Sequence, residues 1–571
     1  MTFTVGHYLA ERLTQIGLKH HFAVAGDYNL ILLDQLIDYC GKESQIYSCN
    51  ELNCGFSAEG YAREHGAAVA IVTFSVGAIS AMNALGSAYA EDLPVILISG
   101  GPNSNDVGSG HILHHTTGES SYHYQLEMVR HITCAAEQIT DAQHAPQKID
   151  HVIRTALREK KPAYLEIACN VSDAPCVRPG PVSSLITHLQ PDQGSLDAAV
   201  EASLAFLSKH DNVVALLGGK MRTTDAIDDA IKLIETIDCA ATVMGNAKGL
   251  FPESHPNFRG VYWGEISSPG TQDLVEKADA IIALANIWND YSSVGWRSIV
   301  RGKHVLEIAT NRVTVDGQTY DGFRLKEFVA ALREKAPKKS ASLSHQYQPY
   351  PLLPADSANA PLTNDELTRQ INGLVDSKTT LFAETGDSWF NAVRMNLPEG
   401  AKVETEMQWG HIGWSVPCVH GAAFAAPERR HVVMVGDGSF QLTAQEVAQM
   451  IRYKLPIIIF LINNTGYVIE IKIHDGPYNY IQNWDYPGLM EVFNGKDHDD
   501  KDVYTHEFGH SGLGLSVSTG AELAAAIDKA KQNTQGPTLI ECKIEREDCT
   551  DLLVKWGKRV ASANSRKPQL T

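Results

Sequence analysis

The sequence predicts an α/β fold of three doubly wound parallel-sheet domains, with the first and third related by an internal repeat. Three observations carry that prediction. Short apolar runs alternate with stretches of helical period along most of the chain, the pattern of βαβ units whose sheet is covered on both faces. Landmarks near the N-terminus recur near the C-terminus: Thr4 with Thr363 at a helix start, Gly26-Asp27 with Gly386-Asp387 after a strand, Gly60 with Gly421 before a strand, and Pro94 with Pro456 opening one. Their offsets of 359, 360, 361 and 362 residues drift steadily, which marks two copies of one domain. Two segments without periodicity, 171–195 and 336–361, are rich in Pro, Ser and other small or charged residues and read as linkers. Domains are therefore expected at 1–180, 195–340 and 360–571.

In chain order, Thr4 caps a helix over 4–17 whose stripe is Val5, Leu9, Leu13 and Ile16. A strand from Phe22 to Ala25 runs into Gly26-Asp27-Tyr28-Asn29, followed by a helix over 30–39 and a strand from Gln45 to Cys49. Helices over 53–66 and 77–90 then alternate with strands over 67–74 and 94–99. In the middle third, strands are expected at 213–217, 240–244, 279–284 and 304–308, with a helix near 224–236. Gly218-Gly219 follows a strand there, but G-x-G-x-x-G is absent, so this domain reads as Rossmann-like without a dinucleotide fingerprint. A strand over 537–544 and a helix over 549–563 end the last domain, with Lys555 to Lys567 expected as a basic tail.

Charge and composition narrow the function classes. A formal charge of −19 argues against nucleic acid or an anionic membrane as partner. No run approaches 18 apolar residues, and the opening MTFTVGHYLAERL is amphipathic rather than a signal-peptide core, so no membrane span is expected. Ten scattered cysteines without a C-x-x-C read as reduced thiols of a cytoplasmic protein.

The chain is organised around residues 432–467. An apolar run, Val432 to Val435, stops at Gly436-Asp437-Gly438; Leu442, Val447, Met450 and Ile451 follow at helical spacing; after Pro456 a second run, Ile457 to Ile462, ends at Asn463-Asn464. Strand, turn, helix and strand make a βαβ unit whose strands end on one edge of the sheet, where ligands bind. Asp437 and Asn464 are thus expected side by side as oxygen ligands. Two hard oxygens next to a helix beginning after Gly438 suit Mg²⁺ and a phosphate, and no P-loop motif competes for that role.

Two more stretches bear chemistry. After Ser99-Gly100 comes GGPNSNDVGSGHILHHTTG, an accessible loop holding His111, His114 and His115. Three histidines invite a zinc reading, but their spacing is not that of standard ligands and no cysteine accompanies them. Acid–base or orienting work near neutral pH suits His114 and His115 better. Glu51 follows the strand 45–49 on the ligand edge; from local pattern alone it reads as a charge favoured at a helix start, Asp27 as a turn former and Glu470 as a solvated helix residue.

GDG followed by NN, the histidine pair after GSGHIL, and Asn50-Glu51-Leu52-Asn53 together resemble the thiamine-diphosphate-dependent 2-keto acid decarboxylases, specifically the pyruvate decarboxylase family. The likeness spans essentially the whole chain and is to the bacterial type through EMQWGHIGWSVP (406–417), FLINNTGYVIEIKIHDGPYNYIQNWDY (460–486) and LVKWGKRVASANSRKP (553–568). It implies non-oxidative decarboxylation of a small 2-keto acid, pyruvate to acetaldehyde and CO₂, through the cofactor's ylide and an enamine. Glu51 is then the partner of the cofactor's aminopyrimidine, Ile412 a wedge beneath the cofactor, and Gly410 a backbone contact to its amine. Asp437, Asn464 and the Gly466 carbonyl hold Mg²⁺, while Thr385, Gly438, Ser439 and Tyr467 complete the cofactor site. Asp27, His114, His115 and Glu470, with Thr385, surround the substrate. Ile469 and Ile473, one helical turn apart, with Trp389 and Tyr291, wall a pocket that admits a methyl group but not a phenyl ring. The family further implies active sites at a subunit interface, in a dimer at least and a tetramer of paired dimers. An acetolactate synthase would share GDG…NN and Glu51, but the resemblance implies that it lacks the histidine pair and often carries flavin in its middle domain.

Overall fold

The computed structural model of the 571-residue chain describes residues 2–568 apart from 187–189, 299, 301–303, 352 and 496–507. Parts of both expected linkers, 187–189 and 352, therefore lie outside the described residues. Three sheets organise the rest. The first runs, in spatial order, Gln45–Tyr47, His21–Ala23, Ala68–Val72, Val95–Gly101, Ala163–Ala168 and Ala136–Ile139, with every pairing parallel. The last runs Lys402–Glu404, Thr379–Ala383, Arg430–Gly436, Ile458–Asn463, Thr538–Lys543 and Leu513–Val517, again all parallel. Their strands follow the same spatial order, second-first-third-fourth-sixth-fifth, as two copies of one domain must.

The repeat landmarks have physical causes. Thr4 and Thr363 both cap helices, accepting from the amides of His7 and Glu366. Gly60 and Gly421 lie where helix Glu51–His65 crosses helix Ser415–Ala425, each against the other's backbone: a Cβ on Gly60 would meet the Cys418 carbonyl, and one on Gly421 the Ser57 carbonyl. The two copies are thus packed together through matching glycines. Buried strands such as Ala68–Val72 and Ile458–Asn463 are apolar almost throughout, because helices cover both faces.

The middle sheet runs Gln318–Asp321, Arg312–Val315, His304–Ile308, Ala280–Leu284, Val213–Leu217, Ala240–Met244 and Phe258–Tyr262. Five of its strands are parallel; the hairpin 312–321 adds an antiparallel edge. Its turn is Asp316-Gly317, both residues at positive φ, the geometry that an Asp-Gly hairpin favours.

Two local expectations are corrected. The helix after Gly438 is broken into Asp437–Thr443 and Glu446–Arg452, which turns Leu442 out to 40% exposure instead of onto the buried stripe. Lys555 to Lys567 is not a tail: helix Asp551–Asn564 contains most of it, buries Leu553, Trp556 and Val560, and pairs Arg559 with Glu265 at 2.6 Å. A helix of alternating basic and apolar residues packs by its apolar stripe and leaves its charges outside. Among the described residues no helix is long and apolar enough to cross a membrane, and all ten cysteines are free.

Candidate active site

Parallel strands bring the GDG and NN turns together. Gly436 pairs with Ile462, so Asp437 and Asn464 leave adjacent strand ends on one edge. Asp437 is fully buried; Oδ1 accepts the Gly438 amide at 2.8 Å, and the amides of Thr465 and Gly466 also face the carboxylate. Burial pushes its carboxyl up to about 6, against the pull of those amides, and Oδ2 accepts no hydrogen bond of good geometry. Gly466 (φ +155°) is required, since a Cβ there would strike the Asn479 carbonyl.

Beside this carboxylate lies a cleft with a cavity volume of about 170 Å³, open to solvent. Its walls include Thr385, Ile412, Gly438, Ser439, Asn464, Gly466, Tyr467, Ile469 and Glu470. Thr385 Oγ1 is buried without a partner, a second polar atom awaiting a ligand. Glu470 stands at the mouth, exposed in this single chain yet surrounded enough that desolvation raises its carboxyl. Gly410 (φ +72°) donates its amide to Glu406 at 2.7 Å and holds the turn that presents Ile412.

The other candidates form a separate group on the first domain. Glu51 opens helix Glu51–His65 behind its N-cap Asn50 and lies half-buried against Gly77. Asp27 Oδ2 is 2.6 Å from His114 Nε2, and Asp27 Oδ1 is 3.7 Å from His115 Nε2. His114 stacks on Tyr28 at 4.8 Å, while His111 turns away to Asp106 at 2.8 Å. Asp27, His114 and His115 converge closely enough to be a metal-type cluster, but one acid paired with one imidazole is equally an acid–base pair. None of these four residues lines the cleft.

Of the four residues expected to limit substrate size, Ile469 lines the cleft and the other three do not. Trp389 is 1% exposed, and its ring lies 6.1 Å from that of Tyr291. Tyr291 packs on Trp556 and is close enough to Glu470 for that charge to help raise its phenol, after burial itself. Ile473 ends the short helix Val468–Ile473 and packs against the core.

Sequence reasoning passed over four carboxylates. Glu384 and Glu406 are fully buried and bind backbone amides around Ile412; Asp387 and Asp548 line the cleft opposite Ser439. Asp387, pushed up to about 6 by burial, accepts from the Thr550 hydroxyl and amide, and Asp548 from the Asn364 amide at 2.7 Å. Glu384 carried the same signal as Asp437, an acid at the end of an apolar run; Glu406, in a loop, carried none.

Comparison with known proteins agrees with this architecture. Models described as the N-terminal TPP binding, central and C-terminal TPP binding domains of thiamine pyrophosphate enzymes match residues 3–128, 200–321 and 385–542. The chain is 52% identical to the probable pyruvate decarboxylase Pdc101 of Schizosaccharomyces pombe, over 99% of this chain and 98% of that protein. It is 46% identical to the pyruvate decarboxylase of Neurospora crassa, over 99% and 98%, and 40% identical to pyruvate decarboxylase 2 of Arabidopsis thaliana, over 99% and 92%. In fold it is similar to the thiamine diphosphate-dependent 4-hydroxybenzoylformate decarboxylase of Rhodococcus jostii RHA1, with a TM-score of 0.75 at 19% identity over 95% of this chain and 99% of that one. With relatives this similar along nearly its whole length, the chain belongs to the thiamine pyrophosphate enzyme family, among its pyruvate decarboxylases.

Proposed function

We propose that the protein decarboxylates small 2-keto acids with thiamine diphosphate and Mg²⁺, and that pyruvate, giving acetaldehyde and CO₂, is its substrate. The observation that carries this reading is Asp437, a carboxylate buried between the cleft-lining Gly436 and Gly438 with one oxygen unpartnered, which a cation satisfies. The donor set of the Asp437 carboxylate, the Asn464 amide oxygen and the Gly466 carbonyl is hard oxygen only, and suits Mg²⁺ with phosphate and water completing its shell. The cofactor, when bound, supplies the carbanion chemistry.

The chain's own residues hold, orient and protonate. Gly438 and Ser439, at a helix start lining the cleft, would offer amides to the diphosphate, with Tyr467 alongside. Ile412 would support the cofactor, the Gly410 backbone would meet its amine, and Thr385 offers an unpartnered hydroxyl. Glu51 would hydrogen-bond the pyrimidine end of the cofactor. Glu470, with its carboxyl raised by desolvation, lines the cleft where it can pass a proton. Asp27 with His114, and His115 beside them, form the matching proton-handling pair. Ile469, with Tyr291, Trp389 and Ile473, gives a wall suited to a methyl group.

Because Glu51, Asp27, His114 and His115 stand outside the cleft, we assign each complete site to two chains, in a dimer at least and a tetramer of paired dimers. Ten unpaired thiols support a cytoplasmic location. The test is CO₂ release from pyruvate, a branched 2-keto acid and benzoylformate, with and without Mg²⁺ and thiamine diphosphate. Release fastest from pyruvate, and dependent on both additions, is expected; none from pyruvate would refute the proposal.

A further inference from the structure

Glu384 follows the strand Thr379–Ala383 and is fully buried. Its amide extends the ladder by donating to the Met434 carbonyl at 3.0 Å. Its two carboxylate oxygens go to two different walls of the cleft. Oε1 accepts the Thr385 amide at 2.8 Å; Oε2 accepts the Ser415 amide at 3.1 Å and the Ser415 hydroxyl at 2.5 Å. Burial pushes the carboxyl up to about 7, and the hydrogen bonds from Ser415, Thr385 and Gly413 oppose that rise.

The reason for this acid lies in the helix that it faces. Helix Ser415–Ala425 has Trp414 in the cap position, which has no oxygen to offer the first amides. A carboxylate reaching over from the sheet takes that role, at the positive end of the helix. The turn before the helix is tied at two further points. Glu406 accepts the amides of Trp409, Gly410 and His411 at 2.6, 2.7 and 2.8 Å, and the Thr443 hydroxyl donates to the Gly413 carbonyl at 2.7 Å. Ile412 is held between these ties, and Thr385, with its unpartnered hydroxyl, adjoins Glu384 itself.

We propose that Glu384 is a positioning residue for the cofactor: its carboxylate joins the Thr385–Gly386 turn to the Gly413–Ser415 turn and so fixes where Thr385 and Ile412 stand relative to each other. This rests on the reading of the cleft as the thiamine diphosphate site. The tie acts on the walls and not on the floor. Asp437 and Asn464 hang from the neighbouring strands Arg430–Gly436 and Ile458–Asn463, so loosening Glu384 leaves the diphosphate anchorage in place. A helix cap with no further role would cost stability alone.

The experiment is Glu384→Gln, which keeps the volume but sets an NH₂ group against amide donors. In the cofactor-free protein, amide hydrogen exchange of a peptide spanning 409–416 should accelerate by about threefold or more, with peptides of the first domain unchanged. Calorimetric affinity for thiamine diphosphate with Mg²⁺ should stay within about threefold. Solvent exchange of the bound cofactor's C2 proton, followed by NMR, should slow about ten-fold or more, with kcat falling and KM unchanged, since misplacement near 1 Å costs about a hundred-fold. Ser415→Ala removes one donor and should show the same pattern more weakly; it decides the matter if the glutamine variant does not fold. C2 exchange at the parent rate in a variant of lowered Tm would reduce Glu384 to a cap, and affinity falling in step with exchange would also overturn the proposal. Failure of the parent itself to bind thiamine diphosphate would overturn the site reading instead, and amide exchange in the cofactor-free protein would still decide whether the tie exists.

Discussion

Gly421→Ala tests the contact that joins the two repeat copies. The added methyl would land on the Ser57 carbonyl, and its mate at Gly60 on the Cys418 carbonyl. These are backbone atoms within helices, so no rotamer change relieves the clash and the helices must part. A gap of about 0.5–1 Å already forfeits a quarter to a half of each contact's dispersion energy. The residues that lose it include Phe56, Trp414, Val419 and Ala422, all fully buried. Two hydrogen bonds of Ser57 Oγ, to the Pro417 carbonyl and to His420 Nδ1, both at 3.0 Å, cross the same interface. Overpacking costs about 1–3 kcal/mol or more, and a clash of backbone on backbone belongs at the upper end. Against this, Ala in place of Gly in a helix recovers about 1 kcal/mol. The net expectation is a loss of about 2 kcal/mol or more for each single variant. The double variant should lose much less than the sum, because one separation relieves both clashes. Calorimetric unfolding of the parent, both singles and the double gives the answer. A Gly421→Ala protein unfolding within about 1 °C of the parent, or costs that add fully, would refute the close crossing.

Asp437→Asn should abolish Mg²⁺ and thiamine diphosphate binding together while the protein still folds; the parent gains about 2.7 kcal/mol at a hundred times Kd, and a thermal shift of that kind in the variant would count against the metal role. His114→Phe keeps an aromatic ring over Tyr28 but loses the bond to Asp27, so turnover should fall by about 10²–10⁴ with metal content unchanged by atomic absorption. Ile469→Ala should raise the ratio of benzoylformate to pyruvate turnover by about ten-fold or more, as a methylene-sized change is worth roughly 1–3 kcal/mol; an unmoved ratio would remove Ile469 from the pocket. Burial lowers His21 and His431 to about 4, so both are held neutral. Their folded values lie below the ordinary 6.5, so the stability that each contributes is complete above pH 6.5 and is withdrawn as pH falls towards 4, by about 3 kcal/mol each. His431→Leu should therefore lower the acid-unfolding midpoint, and an unchanged midpoint would mean that His431 is protonated in the folded state.

What was legible in the sequence was what local chemistry decides. Strands Val213–Leu217 and Ala240–Met244 fall at their expected residues, because buried parallel strands are nearly unbroken apolar runs; His304–Ile308 does so too, with Leu306 and Ile308 buried and His304 and Glu307 exposed. Edge strands such as Ala136–Ile139 and Leu513–Val517 were not anticipated: half-buried, they carry weaker runs. Asp437 and Asn464 were legible because two strand ends and two turns announce them. Glu384 carries the same strand-end signal but no second turn beside it, and Glu406 carries none; their roles depend on which amides the fold carries to them. Ile473 shows the same limit from the other side: i+4 spacing puts it on the face of Ile469, but a helix of six residues ends there, and the chain beyond it leaves the cleft.

The repeat explains why the candidate residues fall into two groups. Asp27 and Asp387 occupy equivalent positions after equivalent glycines. In the first copy the carboxylate is half exposed and bonds to His114; in the second it is bound to the amide and hydroxyl of Thr550, at the start of the C-terminal helix. Under the proposed roles, one copy keeps the acid for proton handling while the other binds it to Thr550. The exchange runs the opposite way at the next strand end, where the first copy has Val76, 51% exposed, and the second has the buried Asp437. Under those roles neither copy alone carries both the proposed metal ligands and the proposed acid–base pair. Each half also leaves large apolar side chains uncovered beside it: Val76 and Ile79 on the helix after the Glu51 helix, and Trp409 and Leu442 on either side of Ile412. Under the proposed assignment of each site to two chains, the surfaces that must meet to complete the chemistry are the ones that gain most from leaving water. Association and assembly of the active site are then a single event, and dilution that separates the chains should remove activity and cofactor binding together.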